Sequence, residues 1–514
     1  MSAVPVRSTA WLLLLGLFAS YLALAPGTTD GRGYVPEDRE AALQMLAGFN
    51  ALVKGRPVPP VAWTRHGPVP LLLDLPFVRL GKLLVSPDFV LSLEPVFLTA
   101  ALLTLLYIWL RVFCTPGMSL LLTLLGAFGT MLWPYAYIGL ETKQSFFVFL
   151  AGYLALGKGK IATWPTLVLF SVICALAISV KSTGIVLGPA IAYLIYRQFR
   201  GEWFSQWKQA LVACSIISGI FVLNVIGWRW FWNPWGGGVY QFEQWMFNSP
   251  FQLFTNPIGI LGSPNKGFFI FAPVLLLVIY AVPRTLETHR EITIFGLIVT
   301  ACIVALLSML VVTADELWGQ RFLHVAVAPL LLVIGVAWPR FEWRKHVLLL
   351  LLGCIGVTIS FLGAFFYYGE RPGASEAAGQ NTLEWLNGDS TWNEVLFDAR
   401  LFRVWMKGGT EPVFWTPVHV WAWTPPKDAM TWKSVNLRNY TEPQSFLLNR
   451  WNLHFEPAEL MIFRICLVSL IVGPLLLLWV LARTLSLWER VRFPVSGRAA
   501  KCGGAGGARR SRDP

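Results

Sequence analysis

The sequence predicts an all-α polytopic membrane protein with about twelve transmembrane helices of roughly 20 residues each and a small extracytoplasmic domain before the last one. Three observations predict it. Charged residues make up only 13% of the 514 positions, while hydrophobic residues reach 55%; a soluble globule carries about 25% charged residues to cover its surface. Apolar runs long enough to span a bilayer recur along the chain. Lys and Arg gather in alternate connections between those runs, as the positive-inside rule requires of cytoplasmic links.

The runs fall at 11–25, 89–112, 118–133, 141–156, 161–180, 183–196, 210–225, 267–282, 292–312, 322–338, 347–367 and 460–482. The first resembles a signal peptide ending in Ala23-Leu24-Ala25, but Pro26 follows at once, so it reads as a retained helix. Arg7, Arg111, Lys158, Lys160, Arg197, Arg200, Arg284, Arg290, Arg340, Arg344 and Lys345 then share one side with the basic tail. That side is the cytoplasm, and both termini lie there. The net charge of +13 is accounted for by these helix ends, so it does not point to nucleic acid. The seven cysteines form no C-x-x-C pair and read as small apolar residues.

This parity divides the chain into a transmembrane core over 1–368, with a first outer loop at 26–88, and a Trp-rich outer segment at 369–457. The last transmembrane helix at 458–484 and a basic, disordered cytoplasmic tail at 485–514 follow. The outer segment holds eight Trp residues, a type that suits sugar stacking, bilayer interfaces and small cores alike.

Candidate functional residues collect on the outer side, where ionisable groups beside spans are costly to keep. Asp30 follows the first span directly; it reads either as a solvated turn acid or as a carboxylate held at the membrane surface. Tyr34 comes next, and Pro36 with Glu37 and Asp38 opens an amphipathic helix. His66 lies in Thr64-Arg65-His66-Gly67-Pro68, a re-entrant or surface segment before the second span. Glu141 heads the fourth span after Trp133-Pro134-Tyr135, and Lys181 links the fifth and sixth. Lys266 sits in Gly262-Ser263-Pro264-Asn265-Lys266-Gly267. Arg321 follows Trp318-Gly319-Gln320 at the start of the tenth span. Each alone reads equally as an interfacial anchor. Together, carboxylates opposite Lys and Arg suit a phosphate leaving group facing a general base.

In their order along residues 10–340, these motifs resemble the GT-C superfamily of membrane glycosyltransferases. The resemblance is to the bacterial branch related to protein O-mannosyltransferases and lipid A aminoarabinose transferases. It implies a polyprenyl-phosphate sugar donor, a lipid, glycan or protein acceptor, and an inverting displacement on the extracytoplasmic face of the plasma membrane. It implies Asp30 as base, with Glu141 a second acidic position. Lys266 and Arg321 would contact the carrier phosphate, with Lys181 beside them. Tyr34, Glu37, Asp38 and His66 are candidate sugar or acceptor contacts. A divalent metal on Asp30 and Glu141 is compatible with some members of that superfamily. The sequence departs from the adjacent Asp-Glu pair of many relatives: Asp30 is followed by Gly31-Arg32-Gly33, and Glu37-Asp38 comes later. The base is thus Asp30 or that pair. Two other classes fit a twelve-span chain: a transporter or flippase, and an O-antigen ligase or polymerase. A transporter commonly shows related halves and mid-membrane charges. No clear repeat is visible here.

Overall fold

The computed structural model describes residues 6–23, 54, 68–84, 87–137, 139–158, 161, 163–200, 206–226, 252–263, 267–309, 321–365, 395, 399, 402 and 457–492. Every described regular element is helical. In chain order they are α1 Val6–Ala23, α2 Pro68–Leu84, α3 Pro87–Leu110, α4 Pro116–Phe128, α5 Gly139–Gly152, α6 Trp164–Ser179, α7 Gly188–Phe199 and α8 Trp207–Ile226. There follow α9 Gln252–Gly262, α10 Phe268–Phe271, α11 Val278–Thr288, α12 Arg290–Met309, α13 His324–Ala337, α14 Trp343–Phe365 and α15 Pro457–Arg492. Helix coincides with each of the twelve apolar runs. Among the described residues, six helices are both long and apolar enough to cross a bilayer. This is a multi-pass, all-α membrane protein.

Local chemistry sets the breaks. Thr115 caps α4, its side chain accepting from the Met118 amide, with Pro116 in the first turn. The eighth run is broken because Ala272 precedes Pro273 and is pushed out of the α region, to φ −144° and ψ 64°. A 3₁₀ turn, Pro273–Leu277, then leads into α11. Two helices lie where the sequence reading places irregular outer segments. Residues 68–84 form α2 rather than a surface or re-entrant loop, and α9 occupies the end of the 227–266 connection. Pro68 and Pro70 sit in α2's first turn, where a missing amide costs nothing. Of the outer segment at 369–457, Val395 packs on the core and the Phe402 ring lies 5.9 Å from Phe361.

The interior is built on α5 and α13. All fourteen residues of α13 are buried, and 89% of its spanning window is inside the protein, against 22% for those of α8 and α15. Helices α8 and α15 therefore present apolar side chains to lipid. Helix α5 packs against α3, α6 and α13. At the edge of the bundle α1 lies along α15. The approach is close enough that a Cβ on Gly473 would meet the Ser20 amide nitrogen at 2.6 Å, so only glycine fits there.

Buried charge ties α2 to the bundle. Lys143 of α5 pairs with Asp74 of α2 and, at 2.9 Å, with Glu94 Oε2 of α3. The three side chains are 0–3% exposed. Asn224 of α8 adds a second tie. Its Oδ1 accepts from the Val69 amide at 3.0 Å and its Nδ2 donates to the Ser179 carbonyl at 3.1 Å. Helix α2 and the end of α6 are thereby fixed to one point.

Removing one partner of a buried ion pair typically costs about 3–5 kcal/mol, because its counter-charge is stranded. Lys143→Met should therefore lower the unfolding temperature in detergent by several degrees. Asp74→Asn, which leaves the Lys143–Glu94 pair, should lower it much less. Equal losses in thermal melts of the two variants would remove the triad as a tie.

Candidate functional site

The polar run Glu141-Thr142-Lys143-Gln144-Ser145 opens α5, and every one of these side chains is buried. Glu141 lies in the first helical turn, where a carboxylate is favoured by the helix dipole. The Thr142 hydroxyl donates to the Tyr135 carbonyl at 3.1 Å, joining α5 to the 3₁₀ turn Pro134–Tyr137. This turn carries the Trp-Pro-Tyr motif.

Two cations converge on Glu141. Lys181 Nζ donates to Oε1 at 2.7 Å, and Arg321 Nε lies 3.4 Å from the same oxygen. Lys181 follows α6 in extended backbone (φ −132°, ψ 139°), and its carbonyl accepts from the Gly184 amide as the chain turns into a 3₁₀ segment. Gly184 is needed there: a Cβ would come within 2.5 Å of the Ile178 carbonyl oxygen. Arg321 opens the 3₁₀ turn Arg321–Leu323 that leads into α13. The Phe322 ring lies between the cations, 3.8 Å from Lys181 Nζ and 5.2 Å from Arg321 Cζ. Such cation–π contacts gain strength where water is scarce. Lys181 and Glu141 are almost wholly buried, while Arg321 is 22% exposed. Arg321 is thus the member that meets the surroundings.

One helical turn along from these charges lies a second polar pair. Ser145 Oγ is 2.7 Å from the Glu141 carbonyl oxygen and 2.6 Å from His324 Nδ1. The His324 ring stands edge-on to Tyr135, with centroids 5.8 Å apart.

The structure thus brings Glu141, Lys181 and Arg321 into contact from three distant parts of the chain. Lys266 lies outside the described residues, but the ends of its turn do not. The Gly267 amide donates to the Ser263 carbonyl at 2.7 Å, and a Cβ on Gly267 would come within 2.4 Å of that oxygen. Asp30, Tyr34, Glu37, Asp38 and His66 also lie outside the described residues. A divalent metal on Glu141 fits poorly, since Oε1 already faces two cations. Among the described residues no group of three or more His, Cys, Asp or Glu is placed to hold a metal. Sequence reasoning passed over Lys143, Asp74, Glu94, Ser145 and His324. The signal was present: a five-residue polar run at the head of a span, and acids inside apolar runs, are costly in a membrane unless used.

No family model matches the chain, and no curated protein matches it. Solved structures that this chain is similar to include two of ArnT. ArnT from Cupriavidus metallidurans in the apo state is 14% identical, with a TM-score of 0.47 over 93% of this chain and 78% of that one. ArnT from the same organism bound to undecaprenyl phosphate is 13% identical, with a TM-score of 0.45 over 95% and 80%. Neither likeness transfers a residue role to this chain.

A hydrogen bond to a charged group contributes about 1.5–3 kcal/mol. Glu141→Gln keeps the shape but removes the charge that holds two cations together. It should lower the unfolding temperature measurably, and the added substitution Lys181→Met should recover part of the loss. A double variant no more stable than Glu141→Gln would show that the two cations do not repel across that site.

Proposed function

We propose that the protein is an integral membrane glycosyltransferase that moves a sugar from a polyprenyl-phosphate carrier to an acceptor hydroxyl on the extracytoplasmic face. The observation that carries this reading is the convergence of Lys181 and Arg321 on Glu141 at a membrane-embedded helix end. Cations are expensive there and repel one another; a buried carboxylate keeps both in place. Arg presents a planar fork suited to phosphate oxygens and Lys a compact point charge. A lipid-linked phosphate, which reaches the site from the bilayer, is the anion that such a location serves. The order of sequence motifs supports the same donor class.

The reaction is a direct displacement. A carboxylate takes the proton of the acceptor hydroxyl, whose oxygen attacks the anomeric carbon. The bond from that carbon to the phosphate oxygen breaks, and the carrier phosphate leaves with the electron pair and one more negative charge. A single displacement inverts the anomeric centre. Arg321 and Lys181 stabilise the charge that grows on the phosphate, and Lys266, on its glycine-closed turn, adds a third cation. Glu141 holds them in place ahead of the reaction, so no reorganisation is needed when charge develops. Asp30 takes the role of base, with Tyr34, Glu37, Asp38 and His66 contacting the sugar or acceptor. The Trp-rich segment 369–457 selects the acceptor.

Lys181→Ala and Arg321→Ala should each weaken binding of undecaprenyl phosphate to the protein in nanodiscs by at least about tenfold, or 1.4 kcal/mol. Wild-type affinity in both would sink the phosphate assignment. Asp30→Asn should reduce sugar transfer by about 10²–10⁴-fold, the share of a general base, with expression intact. Mass spectrometry of membrane glycolipids and glycoproteins from cells carrying that variant reads this out, and unchanged glycans would exclude Asp30 as the base.

A further inference from the structure

His324 is the first residue of α13, and its side chain is only 1% exposed. It lies three positions after Arg321. Across from it, Ser145 stands one turn beyond Glu141 on α5. The Ser145–His324 pair thus forms a second polar layer next to the cation site, about 5.4 Å along α5 from Glu141, and joins α5 to α13.

The hydrogen bonds of that layer fix the protonation of the ring. The Ser145 hydroxyl has one hydrogen, and the Glu141 carbonyl at 2.7 Å has none to give, so Ser145 donates to the carbonyl. Ser145 Oγ must then accept from His324 Nδ1, 2.6 Å away. In the neutral ring this leaves Nε2 with a bare lone pair. Nε2 is buried and has no hydrogen-bond partner among the described residues. Buried polar atoms are almost always satisfied, and an orphan calls for a reason. The Tyr135 ring packs edge-on against it, with centroids 5.8 Å apart. A histidine oriented at Nδ1 and left open at Nε2 has the arrangement used to present an acceptor to a ligand.

We propose that His324 is a further substrate-contacting residue, its Nε2 accepting a hydrogen bond from a hydroxyl of a substrate bound against Lys181 and Arg321. This rests on the reading of those cations as the carrier-phosphate site. The hydroxyl belongs either to the sugar being transferred or to the acceptor; the chemistry of recognition is shared. A site built to bond a hydroxyl discriminates strongly against compounds without one, because its buried polar atom is then left unpaired.

Two amide variants separate the ring nitrogens. His324→Asn keeps a donor near Nδ1 for Ser145 but has nothing at Nε2. His324→Gln can place its amide oxygen where Nε2 was. Full-length protein in nanodiscs is loaded with labelled undecaprenyl phosphate. The label is displaced either with unlabelled undecaprenyl phosphate or with the phospho-sugar lipids extracted from the native membranes. Sugar transfer is measured in parallel onto membranes from a strain lacking the gene.

If the hydroxyl is on the sugar, wild type binds the phospho-sugar lipids more tightly than bare carrier. His324→Asn then loses at least tenfold of that preference, and His324→Gln keeps most of it. If it is on the acceptor, the preference is unchanged in His324→Asn but the KM for acceptor membranes rises at least tenfold, again with rescue by His324→Gln. Wild-type behaviour of His324→Asn in both assays overturns the proposal. So does an equal loss of bare undecaprenyl phosphate binding in both variants, which marks a purely structural role. Failure of the wild-type protein to bind undecaprenyl phosphate is a different result: it removes the phosphate reading beneath the proposal, and the proposal with it.

Discussion

An ionised side chain inside an apolar bundle must find its partner on another helix, and the arrangement of this protein follows from that demand. Helix α5 carries the demand most heavily. Its opening turns hold Glu141, Lys143 and Ser145, and each is met from a different direction. Asp74 and Glu94 come from α2 and α3, Lys181 from the end of α6, and Arg321 and His324 from the start of α13. Apolar packing in lipid is weakly directional, since helix and solvent are equally greasy. Charge pairing is not. The polar head of α5 specifies which helix ends meet, and the apolar remainder of each helix is free to fill space.

The same head serves structure and chemistry in adjacent positions. Glu141 and Lys143 are two residues apart, so they face roughly opposite sides of the helix. One side is locked into the Asp74–Glu94 tie, and the other presents Glu141 to the two cations. Rigid placement of the first supports precision in the second. Fixed dipoles and charges do their work only if they are already in position when charge develops.

Much of this was legible in the sequence, and the limits have physical causes. Spans were legible because each is a long local signal, and helix occurs at all twelve. That Glu141, Lys181 and Arg321 share one end of the bundle was legible because the alternation of Lys and Arg counts crossings. That they touch was not, since contact between residues 141, 181 and 321 depends on helix packing, which local pattern does not encode. Helix α2 was missed for another reason. Its three prolines at 68, 70 and 76 read as loop, yet two occupy the first turn, where proline is tolerated, and the third sits in a helix pinned by Asp74. Ser145 and His324 went unremarked because each is an ordinary residue alone. Only their contact, and the orphan nitrogen it leaves, makes them a site.

The pairing of α1 with α15 has a consequence for biogenesis. These are the first and last of the described helices, closed over Gly473 and Ser20. When α1 leaves the ribosome its partner has not been made. At about 5–20 residues per second, it waits tens of seconds in the bilayer while everything between Ala23 and Pro457 is synthesised and inserted. The wait is harmless for a helix with no charged residue between Ser8 and Ala23. Arrival of α15 then closes the edge of the bundle. A product truncated before Pro457 cannot make that closure, and the lipid-facing edge of α1 stays unpaired in it.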